Sequence, residues 1–353
     1  MDRRKNTVGA LLQALGKWIR MRSGIPAALL ALVLSWSIAV MVSSGQSSEP
    51  RSGGGDGSTA AIQRFWAVFH GNNYAAIPEL QKDLEAALEW DPENVTLTAL
   101  LGATHFWHVG EYRRDPLPNP TVLAQDMPDA VELFHKALKL DYSPHPVGYI
   151  YNDHLPGFLG VTTVHLGQAT NDSALTAKGD HLLNYSVYQF PEFNNFNRWA
   201  AHNSDPNTSD NYKLALDSLW QAMDACIEGR IDRANPDIRP YLHLQTSVGR
   251  KSTCWSENSM APHSFEGLML NLGDGLVKAG QVDVAKIVYA NARYAKHYAE
   301  WPYRQVLESI AASDLNARAA LYDDNDPTND PPLAVPNRSC VYCHAMVAEP
   351  AVH

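Results

Sequence analysis

The sequence predicts an all-α protein: a body of helical hairpins, preceded by a single apolar helix and followed by an irregular C-terminal arm. Three observations carry this. Between residues 60 and 323 the apolar residues recur at helical spacing, with no run of alternating β-branched residues. An uncharged stretch from Ile25 to Val42 follows a strongly basic start. The closing stretch DDNDPTNDPPLAVPNRS (Asp323–Ser339) holds too much proline, aspartate and asparagine to be helical throughout.

Taken in order, residues 1–24 form a basic segment with Arg3, Arg4, Lys5, Lys17, Arg20 and Arg22. Segment 25–43 is about 18 apolar residues, close to the minimum for crossing a bilayer. All nearby positive charge lies before it, which keeps the N-terminus in the cytoplasm and exports the body. A cleaved signal peptide is the alternative, with Val42-Ser43-Ser44 as its cleavage site. Both place the body on the outer side of a bacterial cytoplasmic membrane, facing the periplasm, and the first makes the protein single-pass. Residues 44–59, with GQSSEPRSGGGDGST, are expected to form a flexible linker.

The body, 60–323, contains one specific internal pattern. In MLNLGDGLVKAGQVDVAKIVYANAR, Leu272-Gly273 is followed by Leu276, Gly280, Ala285, Tyr289 and Ala292. Small residues at those offsets let two antiparallel helices approach, and large ones fill the space between them. The helices are expected at about 264–279 and 282–298. Weaker copies stand upstream: Leu80, Leu84 and Ala87; Leu101-Gly102 and Gly110; Ala130, Phe134 and Ala137, the last after a proline-rich insertion DPLPNPTVLAQDMP. Phe158–Gln168, Ala174–Gln189 and Tyr212–Glu228 read as further helices. The body resembles the tetratricopeptide family in patches over roughly two-thirds of the chain, the strongest at Leu272–Ala292. That resemblance implies a stack of hairpins with a partner-binding surface.

The arm, 324–353, carries the clearest chemistry. In SCVYCHA, Cys340, Cys343 and His344 stand at C-x-x-C-H spacing. Two thiols at this separation can add to the two vinyl groups of a haem, and the adjacent histidine reaches the iron from one face. Half of a zinc site, a redox disulfide and a chance match are the other readings, each lacking a supporting pattern elsewhere. The stretch resembles monohaem c-type cytochromes. That resemblance implies one covalent haem c, Cys340 and Cys343 as thioether links and His344 as proximal ligand to iron. The chain departs from the small soluble members of that family, because almost nothing follows the motif. Met346, two residues beyond His344, cannot reach the opposite face of the same haem.

A sixth iron ligand is therefore sought elsewhere. The stretch CWSENSMAPHSFEG (Cys254–Gly267) is dense in candidates, with His263 and Met260 ranked first. His154, in YNDHLPGFLG, and His353 at the end of the chain rank lower. His105, His108 and His165 fall on expected helices and read as core histidines. Cys226 and Cys254 are the other thiols. A disulfide between them would close a loop of about 28 residues, and two separate buried thiols are the alternative.

The chain has 353 residues and a formal net charge of −10. Such a charge disfavours nucleic acid as a partner. No dinucleotide, phosphate-loop, zinc-protease or serine-hydrolase motif occurs. The expected function is electron transfer by a membrane-anchored c-type cytochrome rather than catalysis. Its expected partners are redox proteins or a membrane complex, the membrane through the N-terminal helix, and a second copy of the chain. An enzyme or a gas or peroxide sensor with an open haem, and a repeat scaffold with a metal- or redox-active tail, are the alternatives.

Overall fold

A computed structural model of the protein describes residues 54–114, 120–141, 152–256, 258–324, 326, 329–333 and 340–348. The apolar segment 25–43 and His353 lie outside them, as does Glu257. Among the described residues every regular element is a helix, and no helix is long and apolar enough to cross a membrane.

The main helices are α1 (Gly54–His70), α2 (Ile77–Trp90), α3 (Val95–Gly110), α4 (Pro120–Leu140), α5 (Leu155–Thr170), α6 (Ser173–Gln189), α7 (Pro191–His202), α8 (Asp210–Ile227), α9 (Ser264–Lys278), α10 (Val282–Asn291), α11 (Arg304–Ala312) and α12 (Leu315–Asp323). A single turn, α13 (Val341–His344), closes the described chain. Neighbours in sequence pack as hairpins, α1 on α2, α3 on α4, α5 on α6, α7 on α8 and α9 on α10.

Local chemistry sets the helix starts. Side chains of Asn94, Asp172, Ser209 and Asp314 accept backbone N–H groups in the first turns of α3, α6, α8 and α12. Proline opens α2, α5 and α7, where its missing N–H has no helical partner to lose. Gly280 ends the α9 turn at φ +72°, and Gln281 N–H reaches back to the Leu276 carbonyl at 2.8 Å.

Small residues set the hairpin spacing. A Cβ on Gly273 would stand 2.3 Å from the Tyr289 ring, one on Gly160 2.9 Å from Leu183, and one on Gly102 3.2 Å from Phe134. The helices expected at 264–279 and 282–298 correspond to α9 and α10, although α10 ends at Asn291 and passes into a 3-10 turn, Ala292–Tyr294.

Three elements differ from expectation. Helix α1 starts at Gly54, inside the segment 44–59 read as linker; extending a helix already docked by Phe65 and Phe69 costs little compared with nucleating one. Helix α4 takes in the part of the proline-rich insertion from Pro120 onward and contains Pro128. Its first half is held by Asp126, whose carboxylate oxygens meet Nδ1 of His105 at 2.5 Å and Nδ1 of His108 at 2.8 Å. Helix α7 was not expected, since asparagines are weak helix formers. Asn194 is its fastener, donating to the carbonyls of Asp153 and Ser186 at 2.8 Å each, while Asn195 donates within the helix to the Pro191 carbonyl.

Between α8 and α9 the chain makes two 3-10 turns, Arg239–Leu244 and Arg250–Cys254. A disulfide joins Cys226, at the end of α8, to Cys254, with Cα atoms 6.3 Å apart. It fixes the start of the segment that delivers Met260 and His263 to the mouth of α9.

Candidate functional site

The C-x-x-C-H stretch folds back onto the body. Alone, one helical turn would not persist in water; here it is seated on α9 and α1. Val341 and Ala345 are fully buried. At its start, Oε1 of the buried Glu111 accepts the N–H of Cys340 at 2.8 Å and of Val341 at 3.3 Å. The other oxygen, Oε2, accepts from Trp107 Nε1 at 2.9 Å and from Arg114 at 2.7 Å. Arg114 in turn lies over the Tyr74 ring and donates to Asn72. The carboxylate thus meets both the orphan amides of a helix start and a guanidinium partner.

Four more contacts hold the turn. Trp301 Nε1 donates to the Tyr342 carbonyl at 2.8 Å, and His263 N–H to the Cys343 carbonyl at 3.0 Å. Tyr342 donates its hydroxyl to Asn271 Oδ1 at 2.8 Å. Met346 N–H donates to the His70 carbonyl at 2.8 Å. Under Cys343 lies Gly267 of α9; a Cβ there would stand 2.1 Å from the Cys343 sulfur. Glycine is the residue that leaves room for this thiol.

His344 is held in one orientation. Its Nδ1 is 2.7 Å from the Met260 carbonyl oxygen. A carbonyl can only accept, so Nδ1 carries the proton and Nε2 keeps its lone pair. Burial lowers the imidazole's pKa to about 4, with the Met260 hydrogen bond opposing and His70 assisting. The ring is neutral, in the tautomer a metal-binding histidine adopts when a carbonyl orients it. Phe69 packs against it with ring centres 4.8 Å apart. His70 Nε2 meets the same Met260 oxygen at 3.0 Å.

Cys340, Cys343 and His344 line one cavity. It has a volume of about 240 Å³ and opens to solvent, somewhat below the ~300–1,000 Å³ typical of ligand sites. Aromatic and aliphatic side chains make most of the wall, among them Trp66, Phe69, Phe106, Phe158 and Phe193. The polar exceptions include Asn197, Asn258 and Asn271. The donor set and the apolar wall fit a covalently attached haem. Among the described residues no group of three or more His, Cys, Asp or Glu side chains is arranged to hold a bare metal ion, whereas a structural zinc needs four ligands.

The remaining candidates separate. Met260 and His154 both line the cavity. His263 is buried beside it but not in its wall, with Nδ1 3.1 Å from Glu266 Oε1 and its backbone on Cys343. His353 lies outside the described residues. Met346 is exposed. His105 and His108 are committed to Asp126, and His165 Nε2 to the Ala200 carbonyl.

No protein-family model, curated protein or solved structure matches this chain. Its chemistry is therefore argued from its own residues. Several of them carry no sequence signal. Glu111 shows only a local pattern, Trp107-x-x-x-Glu111-x-x-Arg114, and nothing ties it to a motif about 230 residues later. Gly267 precedes the strong repeat pattern by a few positions and gives no hint that a thiol rests on it.

Proposed function

We propose that this protein is an exported, membrane-anchored c-type cytochrome that carries one covalent haem and passes electrons between protein partners. Cys340 and Cys343 hold the haem by thioether bonds, and His344 Nε2 is its proximal ligand. The observation that carries the reading is the placement of His344: its Nδ1 lies 2.7 Å from the Met260 carbonyl oxygen, and the residue lines one cavity with both cysteines. When bound, the haem supplies a one-electron iron couple. The chain's part is to fix the imidazole, keep water from the iron through the aromatic wall, and hold the attachment turn through Glu111.

The Cys226–Cys254 disulfide supports an oxidising compartment, where such bridges persist. The close helix crossings at Gly102, Gly160 and Gly273 support a tetratricopeptide-like stack, with the body as docking platform.

The test is an absorption spectrum of the exported protein matured with c-haem attachment machinery, recorded oxidised, reduced, and reduced under carbon monoxide. A sharp reduced α band that carbon monoxide leaves unchanged, and that Cys343→Ser abolishes, is expected. A carbon monoxide shift in the wild type would replace electron transfer by catalysis or gas sensing. A protein with no haem would overturn the reading altogether.

A further inference from the structure

We infer that His154 is the second axial ligand of the haem iron, so that the iron is held between two imidazoles. This rests on the covalent haem reading above. The side chains able to bind iron in the described cavity wall, beyond the attachment turn, are those of His154 and Met260.

Met260 is on the wrong side. Its carbonyl receives the Nδ1–H of His344 at 2.7 Å and the Nε2–H of His70 at 3.0 Å. Nδ1 and Nε2 leave the imidazole at different edges, so the Met260 carbonyl bonded to Nδ1 sits behind the proximal ligand as seen from Nε2. The thioether would have to pass round the ring to reach the other side of the iron. His263 is held behind the same turn by Glu266 and by the Cys343 carbonyl.

His154 comes from a different wall. The attachment turn sits on α9 and α1, whereas His154 enters at the N-terminus of α5, beside α7. It is 5% exposed. Phe193 and Phe190 brace its ring edge-on, with ring centres 4.2 and 4.9 Å away. The backbone just before it is pinned, because Asn194 of α7 donates to the Asp153 carbonyl at 2.8 Å. A ligand aimed across a cavity needs this kind of fixed mount, since a loose one loses its geometry. Two imidazoles hold iron six-coordinate and low-spin, favour a low potential, and leave no position for a gas. The pair therefore also decides between an electron carrier and an open-haem enzyme.

The experiment uses the full chain, matured with haem and reduced with dithionite, as wild type, His154→Ala and His154→Met. Wild type is expected to be low-spin and unmoved by carbon monoxide. His154→Ala is expected to become high-spin and to bind carbon monoxide, and added imidazole to restore the low-spin spectrum. His154→Met, which keeps a ligand and fills the space if the alanine variant does not fold, is expected to stay low-spin with a raised potential. A wild-type-like, carbon monoxide-insensitive spectrum in His154→Ala, or an unchanged potential in His154→Met, overturns the assignment while leaving the covalent haem in place. Absence of haem from the wild type overturns the parent reading instead.

Discussion

Glu111 is a fully buried carboxylate that joins three parts of the molecule: the end of α3, the Arg114 turn and the C-terminal segment. Its four donors are two backbone amides, an indole and a guanidinium. Removing one partner of a buried ion pair leaves the other desolvated and uncompensated, at a cost of about 3–5 kcal/mol. Glu111→Gln should therefore lower unfolding stability by about 3 kcal/mol in urea titrations and expose the C-terminal residues to proteases. A loss below about 0.5 kcal/mol would mean the contact does not form. His202 gives a pH-dependent counterpart. Burial alone would lower its pKa, but Asp180 at 2.7 Å and Asp205 at 3.0 Å outweigh it and raise it to about 9. The folded state thus favours the imidazolium. This stabilisation is full below the unfolded pKa near 6.5 and disappears as pH rises through about 9. Since Asp180 is about a third exposed, the effect is discounted for solvent screening to about 1–2 kcal/mol. His202→Gln should cost that much near pH 6 and almost nothing near pH 10, as read from urea midpoints. An equal loss at both values would show that packing, not charge, is responsible. Neither network was legible in the sequence, because each depends on side chains from separate elements meeting in space.

At the scale of elements, the one-turn α13 exists only as a docked piece, and two devices prepare its seat. One is the disulfide. Closing a loop of 28 residues restricts the unfolded chain by about 3–4 kcal/mol. The double variant Cys226→Ser/Cys254→Ser should lose about that stability, measured by thermal unfolding under non-reducing conditions. Wild-type stability in the variant would mean the loop is already ordered without its bridge. The other device is Gly267. With the Cys343 sulfur where a Cβ would go, Gly267→Ala must push the turn outwards, at about 1–3 kcal/mol for an overpacked core site. Faster alkylation of Cys343 in the unliganded variant would register that displacement, and an unchanged rate would argue against the close contact. The hairpins themselves were readable, because small residues at fixed offsets from large ones mark helix crossings wherever the partner helix is next in sequence. Helix α7 was not, because asparagines are poor helix formers and the one that ties it to its neighbours, Asn194, acts through tertiary hydrogen bonds. The span of α4 was obscured by Pro128, whose cost is absorbed where Asp126 is clamped by two histidines.

At the scale of the whole molecule, the helical body and the C-terminal arm form one site. The arm brings two thiols and an imidazole, while the body supplies the carbonyl that orients the imidazole, the glycine that admits a thiol and the aromatic wall. The sequence made the arm's donor set plain, two thiols and an imidazole, since C-x-x-C-H is contiguous. It left open whether the arm reaches away or folds back, because a proline-rich connection does not encode direction and the receiving residues are scattered from His70 to Trp301. The disulfide, open between two readings in the sequence, is formed. The most direct check is the intact mass of the full chain after export with c-haem attachment machinery, measured under denaturing conditions. One haem should remain covalently bound and map to the peptide holding Cys340 and Cys343, and it should be lost from Cys340→Ser/Cys343→Ser. A chain at its bare polypeptide mass, with both thiols free, would contradict the proposal.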